Sequence, residues 1–383
     1  MKPLVSLAAC QDYSRHRVAE ALKLLLQHEG GIQTFVRPGQ KVLLKPNLLA
    51  GKAPEKAVTT HPEIVRAVIR MVQDAGGIVS VGDSPGFGSP RAVAASSGIL
   101  QVVEETGAKF ASFEESVPVR IEGLAFRQLE IARDIIEADV VINLPKLKTH
   151  QMIGMTCGVK NLFGAIVGLR KPRLHLQAGK DKAFFSLMLL ELAEHIAPAL
   201  TIADAVIGME GNGPGGGDPV RIGALLASRS PLALDTAAAA LVGLPQERVW
   251  TQRIAAATGR PGSRLEEINL RGEPITKLAC SNFRPAKSTE IDFSLPPFLQ
   301  KTLKRSLSAL PMVDKGRCLK CGVCVAHCPP QTMRLENGRL TIDYNRCIGC
   351  FCCQELCPHG ALLTRQGFLL RMSRYLSRGK PTG

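Results

Sequence analysis

Aromatic residues are scarce in this chain, at 4% of 383 positions with a single tryptophan. Surfaces that bind single-stranded nucleic acid stack bases on such rings, and no helix-turn-helix or RNA-binding signature stands in for them. Nucleic acid is therefore not an expected partner, despite a net charge of +15. Long apolar runs are missing too. No stretch reaches the ~20 apolar residues of a spanning helix. The opening MKPLVSLAACQDYSRH has no run of signal-peptide length. These absences predict a cytoplasmic protein. Nucleotide fingerprints are also lacking: GDSPGFG is not G-x-G-x-x-G, and GNGPGGG is not followed by G-K-[ST]. Acidic residues thin out toward the C-terminus, where only Asp314, Glu336, Asp343 and Glu355 follow Gln300. The stretch after Thr364 has five basic residues and no acidic one. Such a balance suits an acidic redox partner protein, an anionic small molecule or an anionic membrane surface.

Cysteine, by contrast, is plentiful, and its spacing is the strongest signal in the chain. CLKCGVCVAHCPP begins at Cys318 and CIGCFCCQELCPH at Cys347. Each is C-x2-C-x2-C-x3-C-P, the spacing by which thiolates hold a [4Fe–4S] cubane. The first three cysteines of a run wrap one cluster, and the fourth belongs to the other cluster. The expected ligand sets are Cys318, Cys321, Cys324 and Cys357 for one cluster, and Cys347, Cys350, Cys353 and Cys328 for the second. Cys352 is off the spacing. Paired CxxC motifs also make zinc ribbons, but zinc has no use for the duplicated phrasing with its trailing prolines. These residues resemble a bacterial-type two-cluster ferredoxin. The four cysteines left over, Cys10, Cys157, Cys280 and Cys352, make no disulfide framework.

Ahead of this module, short apolar runs alternate with helical spacing. Strands are predicted at Leu4–Ala9, Lys41–Leu44, Ile78–Val81, Asp139–Leu144, Thr201–Ala203 and Ile222–Ala227. Helices are predicted at Arg15–His28, Pro62–Asp74 with Thr60 as N-cap, Phe184–His195 and Leu232–Leu241. The pattern predicts an α/β fold, a largely parallel sheet covered on both faces, followed by a small α+β ferredoxin-like domain. The expected divisions are residues 1–281 for the α/β domain and 282–310 for a linker. The 2[4Fe–4S] domain would span 311–364 and a basic tail 365–383. Within the linker, Phe298, Leu299, Leu303, Leu307 and Leu310 share a helical face opposite Lys301, Lys304 and Arg305. That face would dock the ferredoxin module or lie on a membrane.

Ligands of open α/β sheets bind beyond the carboxyl ends of the strands, and the polar motifs fall there. KPNLL offers Lys45 and Asn47; GDSPG offers Asp83 and Ser84. PKLKTH and GVKNLFG offer Lys146, Lys148, His150, Lys160 and Asn161, to which LRKPRLH adds Lys171 and His175. GMEGNGPGGG offers Glu210 and Asn212. Lysines gathered at one sheet edge repel one another unless an anion sits among them. GDSPGFG also reads as a plain turn, GNGPGGG as a lid or a phosphate cradle, and His150 as a surface or capping residue. Cys157 reads as a small buried residue or a reactive thiol.

Together KPNLL, THPE, GDSPG, PKLKTH, GVKNLFG, GMEGNGP and ALDTAAA, over roughly residues 5–245, resemble the family called domain of unknown function 362. Fusion to a ferredoxin module is an arrangement such families show. The resemblance implies that these loops form the functional surface and supplies no reaction. Two functions stay open. One is a reductase that delivers low-potential electrons to an anionic small molecule, with His150 or Asp83 as proton donor and no organic cofactor identified. The other is an electron carrier whose large domain docks a redox partner. A metal-handling role for Asp83, His150, Asp204 and Glu210 ranks below both, because no ligand spacing supports it.

Overall fold

The computed structural model describes residues 2–168, 170–287 and 309–367. Its centre is a ten-stranded mixed sheet. From one edge the order is Asn269–Gly272, Leu4–Ala9, Asp218–Ser228, Leu200–Glu210, Val140–Leu144, Lys41–Pro46, Ile78–Val81 and Lys109–Phe110. The last five of these strands run parallel, and Asp218–Ser228 is antiparallel to both its neighbours. The fold is α/β with a small ferredoxin-like domain at the C-terminus.

Alternation along Lys41–Pro46 shows how the sheet is covered. Successive strand side chains point to opposite faces. Val42 and Leu44 accordingly pack with Val18, Leu22, Ile64 and Val68 of the helices Arg15–Gln27 and Pro62–Asp74. Leu43 packs on the other face with Val141, Phe185 and Leu189. The helix Pro62–Asp74 is capped by His61, whose ring accepts from Glu63 N–H. The predicted cap, Thr60, instead bridges two strands, accepting from Asn47 N–H and donating to the Leu144 carbonyl.

Two strands are longer than their apolar runs, Leu200–Glu210 and Asp218–Ser228, and they pair along most of their length. The segment after Leu144 is also a strand, Lys146–His150, which pairs beside Leu200–Glu210 and with Gly154–Thr156. Every one of its five residues is buried.

The ferredoxin unit opens with Ala309–Val313, antiparallel to Leu362–Gln366. Leu310 thus lies in a strand rather than on the predicted linker helix, and the other residues of that helix lie outside the described residues. So does most of the predicted basic tail. Two short helices, Val323–Ala326 and Cys352–Glu355, sit at equivalent places in the two cysteine runs. Among the described residues, no helix is long and apolar enough to cross a membrane.

Candidate functional site

Beyond the carboxyl ends of the parallel strands lies a cleft enclosing about 650 Å³, part of it open to solvent. Its walls come from both units. The large domain contributes Asn47, Asp83, Ser84, Lys148, His150, Lys160 and Asn161, all predicted, together with Lys171 and His175. The ferredoxin unit contributes Cys352, Glu355 and Leu356. Sequence reasoning missed these three. Glu355 was findable in principle, as the only acidic residue within either cysteine run.

Four predicted substrate-binding residues lie outside this cleft. Lys146 is buried in an ion pair with Asp204 at 2.9 Å and donates to the Tyr13 hydroxyl. Lys45 is buried against Asp83 at 2.8 Å and donates to the Asn161 carbonyl. Burying a charge is costly unless it is paired, and the protein's own carboxylates satisfy both of these. The expectation that an exogenous anion neutralises them is corrected accordingly. Glu210 receives the backbone N–H and guanidinium of Arg284. Asn212 faces the ferredoxin unit, accepting from Gln354 and donating to the Leu362 carbonyl.

The lysines that do reach the cleft are of a different kind. Lys148 is held by the Asn47 side-chain oxygen at 2.8 Å and the Val58 carbonyl at 2.7 Å. Burial pulls its pKa down to about 7, with Glu355 opposing that shift and Lys146 and Lys160 adding to it. Lys171 donates to the carbonyls of Ser84 and Pro85 and is likewise drawn by burial to about 7. Lys160 lies over the Phe163 ring at 4.5 Å and, among the described residues, has neither a carboxylate nor a hydrogen-bond acceptor.

His150 is fixed by its own turn. Its Nδ1 accepts from the N–H groups of Met152 and Ile153, which leaves the proton on Nε2. That nitrogen is buried without a hydrogen-bond partner and stands 3.7 Å from the Glu355 carboxylate. Burial, followed by Lys160 and Lys148, holds the ring's pKa well below the usual histidine value. His150 is therefore a neutral hydrogen-bond donor, and the proton-donor expectation is corrected. Asp83 is corrected too: its Oδ1 forms an ion pair with Lys45 and its Oδ2 accepts from Leu48 N–H, which makes it a partner for Lys45. Burial raises the Cys157 thiol well above its ordinary range, which removes the reactive-thiol reading.

An amide ladder sets the floor. Asn47 donates to Asn161, and Asn161 donates to Asn143, which donates to the Gly158 carbonyl. Asp235, from the ALDTAAA motif, accepts from Gly158 and Val159 N–H and so pins the turn that carries Lys160 and Asn161. Asn143 and Asp235 were not singled out from the sequence. A polar residue inside the apolar strand VVINL was the available signal.

The cysteines form two cages. Cys318, Cys321, Cys324 and Cys357 line one hollow of about 340 Å³, and Cys328, Cys347, Cys350 and Cys353 line another of about 300 Å³, both partly open to solvent. The remaining walls are largely apolar, with Leu319, Leu340 and Leu362 around one and Met333, Ile342 and Phe351 around the other. Each fourth cysteine accepts from a backbone N–H four residues on, Thr332 to Cys328 and Ala361 to Cys357. Such donors favour thiolate sulfur and tune a cluster. Among the described residues, no three His, Cys, Asp or Glu side chains gather as a single metal ion requires. Four cysteine sulfurs beside a largely apolar space in each cage are the donor set a cubane takes.

The sequence model of a domain of unknown function, DUF362, matches residues 42–240, where every large-domain motif of the cleft lies. The chain belongs to the DUF362 family. A 4Fe-4S dicluster domain matches residues 310–358. The thylakoid-associated protein sll1697 of Synechocystis sp. is 40% identical over 309 residues, covering 78% of this chain and 93% of that protein. Among solved structures, the lactate racemase apoprotein of Thermoanaerobacterium thermosaccharolyticum overlays with a TM-score of 0.40 and 11% identity. That overlay covers 61% of this chain and 56% of the other, and a likeness so remote carries no inference. In this DUF362 protein, the family's motifs and the dicluster domain meet at one cleft.

Proposed function

We propose that this DUF362 protein is an iron–sulfur reductase acting on an anionic small molecule held in the cleft. The observation that carries the reading is the shared wall. The helix Cys352–Glu355 contains Cys353 of one cage and runs into Cys357 of the other, and the same segment closes the cleft opposite Lys148 and Lys160.

Cys318, Cys321, Cys324 and Cys357 would hold one [4Fe–4S] cluster, and Cys347, Cys350, Cys353 and Cys328 the other. When bound, such clusters supply or accept one electron each. The chain's own residues then bind, orient and protonate. Lys160 supplies an uncommitted cation, and His150 Nε2–H donates a hydrogen bond to the anion. Leu49, Phe163, Pro214 and Leu356 form apolar walls beside the bound anion. The ammonium of Lys148, near neutrality in pKa, is matched to proton delivery at physiological pH. A two-electron reduction consumes two electrons, drawn from a one-electron carrier, and two protons, one from Lys148 and one from solvent.

Mixing the dithionite-reduced protein anaerobically with carboxylate, phosphate and sulfur-oxyanion acceptors, and following reoxidation of the visible band, tests this. Reoxidation by one class, slowed by Lys160→Gln, supports the reductase. Exchange with redox proteins alone, and with no small anion, would make the protein a carrier. The thylakoid association of the relative and the basic stretch after Thr364 support a site of action at the cytoplasmic face of a membrane. Co-sedimentation with anionic vesicles tests that location.

A further inference from the structure

The two cages differ in what lies outside them. Cys347, Cys350 and Cys353 are buried. The other cage opens outward: Cys321 is exposed, and Leu319 and Leu335, which line that cage, are 68% and 39% exposed. Lys315, Arg317 and Lys320 are exposed on the loop leading through the first run, and Arg334 and Arg339 on the hairpin of Met333–Glu336 and Arg339–Ile342. The loop and the hairpin make one face, because a Cβ at Gly338 would lie 3.5 Å from Lys320 Nζ. Among the described residues, the carboxylates paired with these five cations are Asp314, turned back onto Gly316 and Arg317, and Glu336, at 3.8 Å from Arg334.

We infer that this face docks an acidic one-electron carrier protein, one with carboxylates around its own exposed redox centre. The inference rests on the electron-transfer reading above and adds the partner and its point of entry. A basic rim steers an acidic partner and orients it, and exposed leucines at the middle offer the apolar centre of a small, short-lived contact. Leu319 lies between Cys318 and Cys321, so contact there sets the carrier against the cage. Each encounter moves one electron from carrier to chain, with no bond formed or broken and no proton transferred. Two encounters supply the pair that a two-electron reduction consumes.

The test uses the full-length holoprotein and an acidic plant-type [2Fe–2S] ferredoxin. Stopped flow gives the rate of electron transfer from the reduced carrier, and calorimetry gives the affinity of the two oxidised proteins, in which nothing turns over. Both should fall as salt rises. The double variant Arg334→Glu, Arg339→Glu should lower both at least tenfold at low salt, with an unchanged EPR spectrum after dithionite. Lys320→Glu should act in the same direction, and Arg70→Glu, on the large domain, should not. Rates and affinities indifferent to the reversals, or rising with salt, overturn the inference. A carrier that loads the protein while no anion reoxidises it would instead defeat the reductase reading alone. Anion turnover with dithionite, coupled to failure of the acidic carrier, would defeat this inference alone.

Discussion

Gly164 shows how little room the buried Lys45–Asp83 pair has. A Cβ at this position would stand 1.9 Å from Asp83 Oδ1 and 2.7 Å from Lys45 Nζ. Gly164→Ala should cost about 2–3 kcal/mol, as overpacking does, read as a lower urea midpoint at an unchanged slope. Asp83→Ala should cost more, about 3–5 kcal/mol, because it strands a buried ammonium. Lys45→Met together with Asp83→Leu should cost less than the two single changes summed; additive losses would show that the pair is not coupled. Lys148 and Lys171, each drawn to about 7 by burial, govern pH dependence. Glu355, Asp83, Lys45, Lys146 and Lys160 face them and set the balance. Below about 7 both are ammonium groups, so affinity for an anion of constant charge should be greatest there and fall as pH rises through neutrality. Stability carries the opposite sign. Their folded pKa lies below the 10.5 of a free lysine, so the unfolded chain binds more protons between about 7 and 10.5 and stability rises across that window. Titration calorimetry and denaturant unfolding on either side of neutrality check the two signs, and Lys148→Met should weaken both trends.

At the scale of elements, the clearest disagreement between pattern and structure is the segment KLKTH. Four cationic or polar side chains after a proline read as a loop, yet Lys146–His150 is a buried strand. What makes burial tolerable is distant in sequence: Asp204 for Lys146, and Asn47 and Val58 for Lys148. No local period reports such partners. Apolar strands and amphipathic helices were legible because their periodicity is local. The eight spaced cysteines were legible because ligand spacing is local too. GNGPGGG was read as a lid or a cradle, and it is instead a contact between units. A Cβ on Gly215 would lie 2.6 Å from the Glu355 carbonyl, and one on Gly216 would lie 3.2 Å from Gly360 Cα. Glycine is required by the approach of another backbone. Gly215→Ala should therefore loosen the helix Cys352–Glu355 from the sheet edge, leaving strand protection unchanged. Faster amide exchange in that helix, with an intact far-ultraviolet spectrum, is the expected result; unchanged exchange would mean that the loop yields instead.

Across the whole molecule, the cleft exists because two units with different sources of stability meet. The α/β unit is held by its own core on both faces of the sheet. The ferredoxin unit has a far smaller apolar cluster, and Cys324, Cys353 and Cys357 are half of its fully buried members. A unit built this way gains its folding free energy from the ligands it binds. Among the contacts that tie it to the large domain are Gln354 to Asn212, Asn212 to the Leu362 carbonyl, Lys52 to the Pro358 carbonyl, and Glu355 opposite His150. Those of Gln354, Glu355 and Pro358 depend on the chain segment from Cys353 to Pro358 keeping its shape. Removing iron should therefore unfold the small unit and open the cleft without melting the sheet. Amide exchange on chelator-treated protein should show lost protection at Ala309–Val313 and Leu362–Gln366, and faster exchange at residues 211–217. Strands Lys41–Pro46 and Val140–Leu144 should stay protected. If those strands lost protection together with the ferredoxin unit, the two would be one cooperative body, and the cleft could not be emptied of its iron–sulfur wall while the large domain stands.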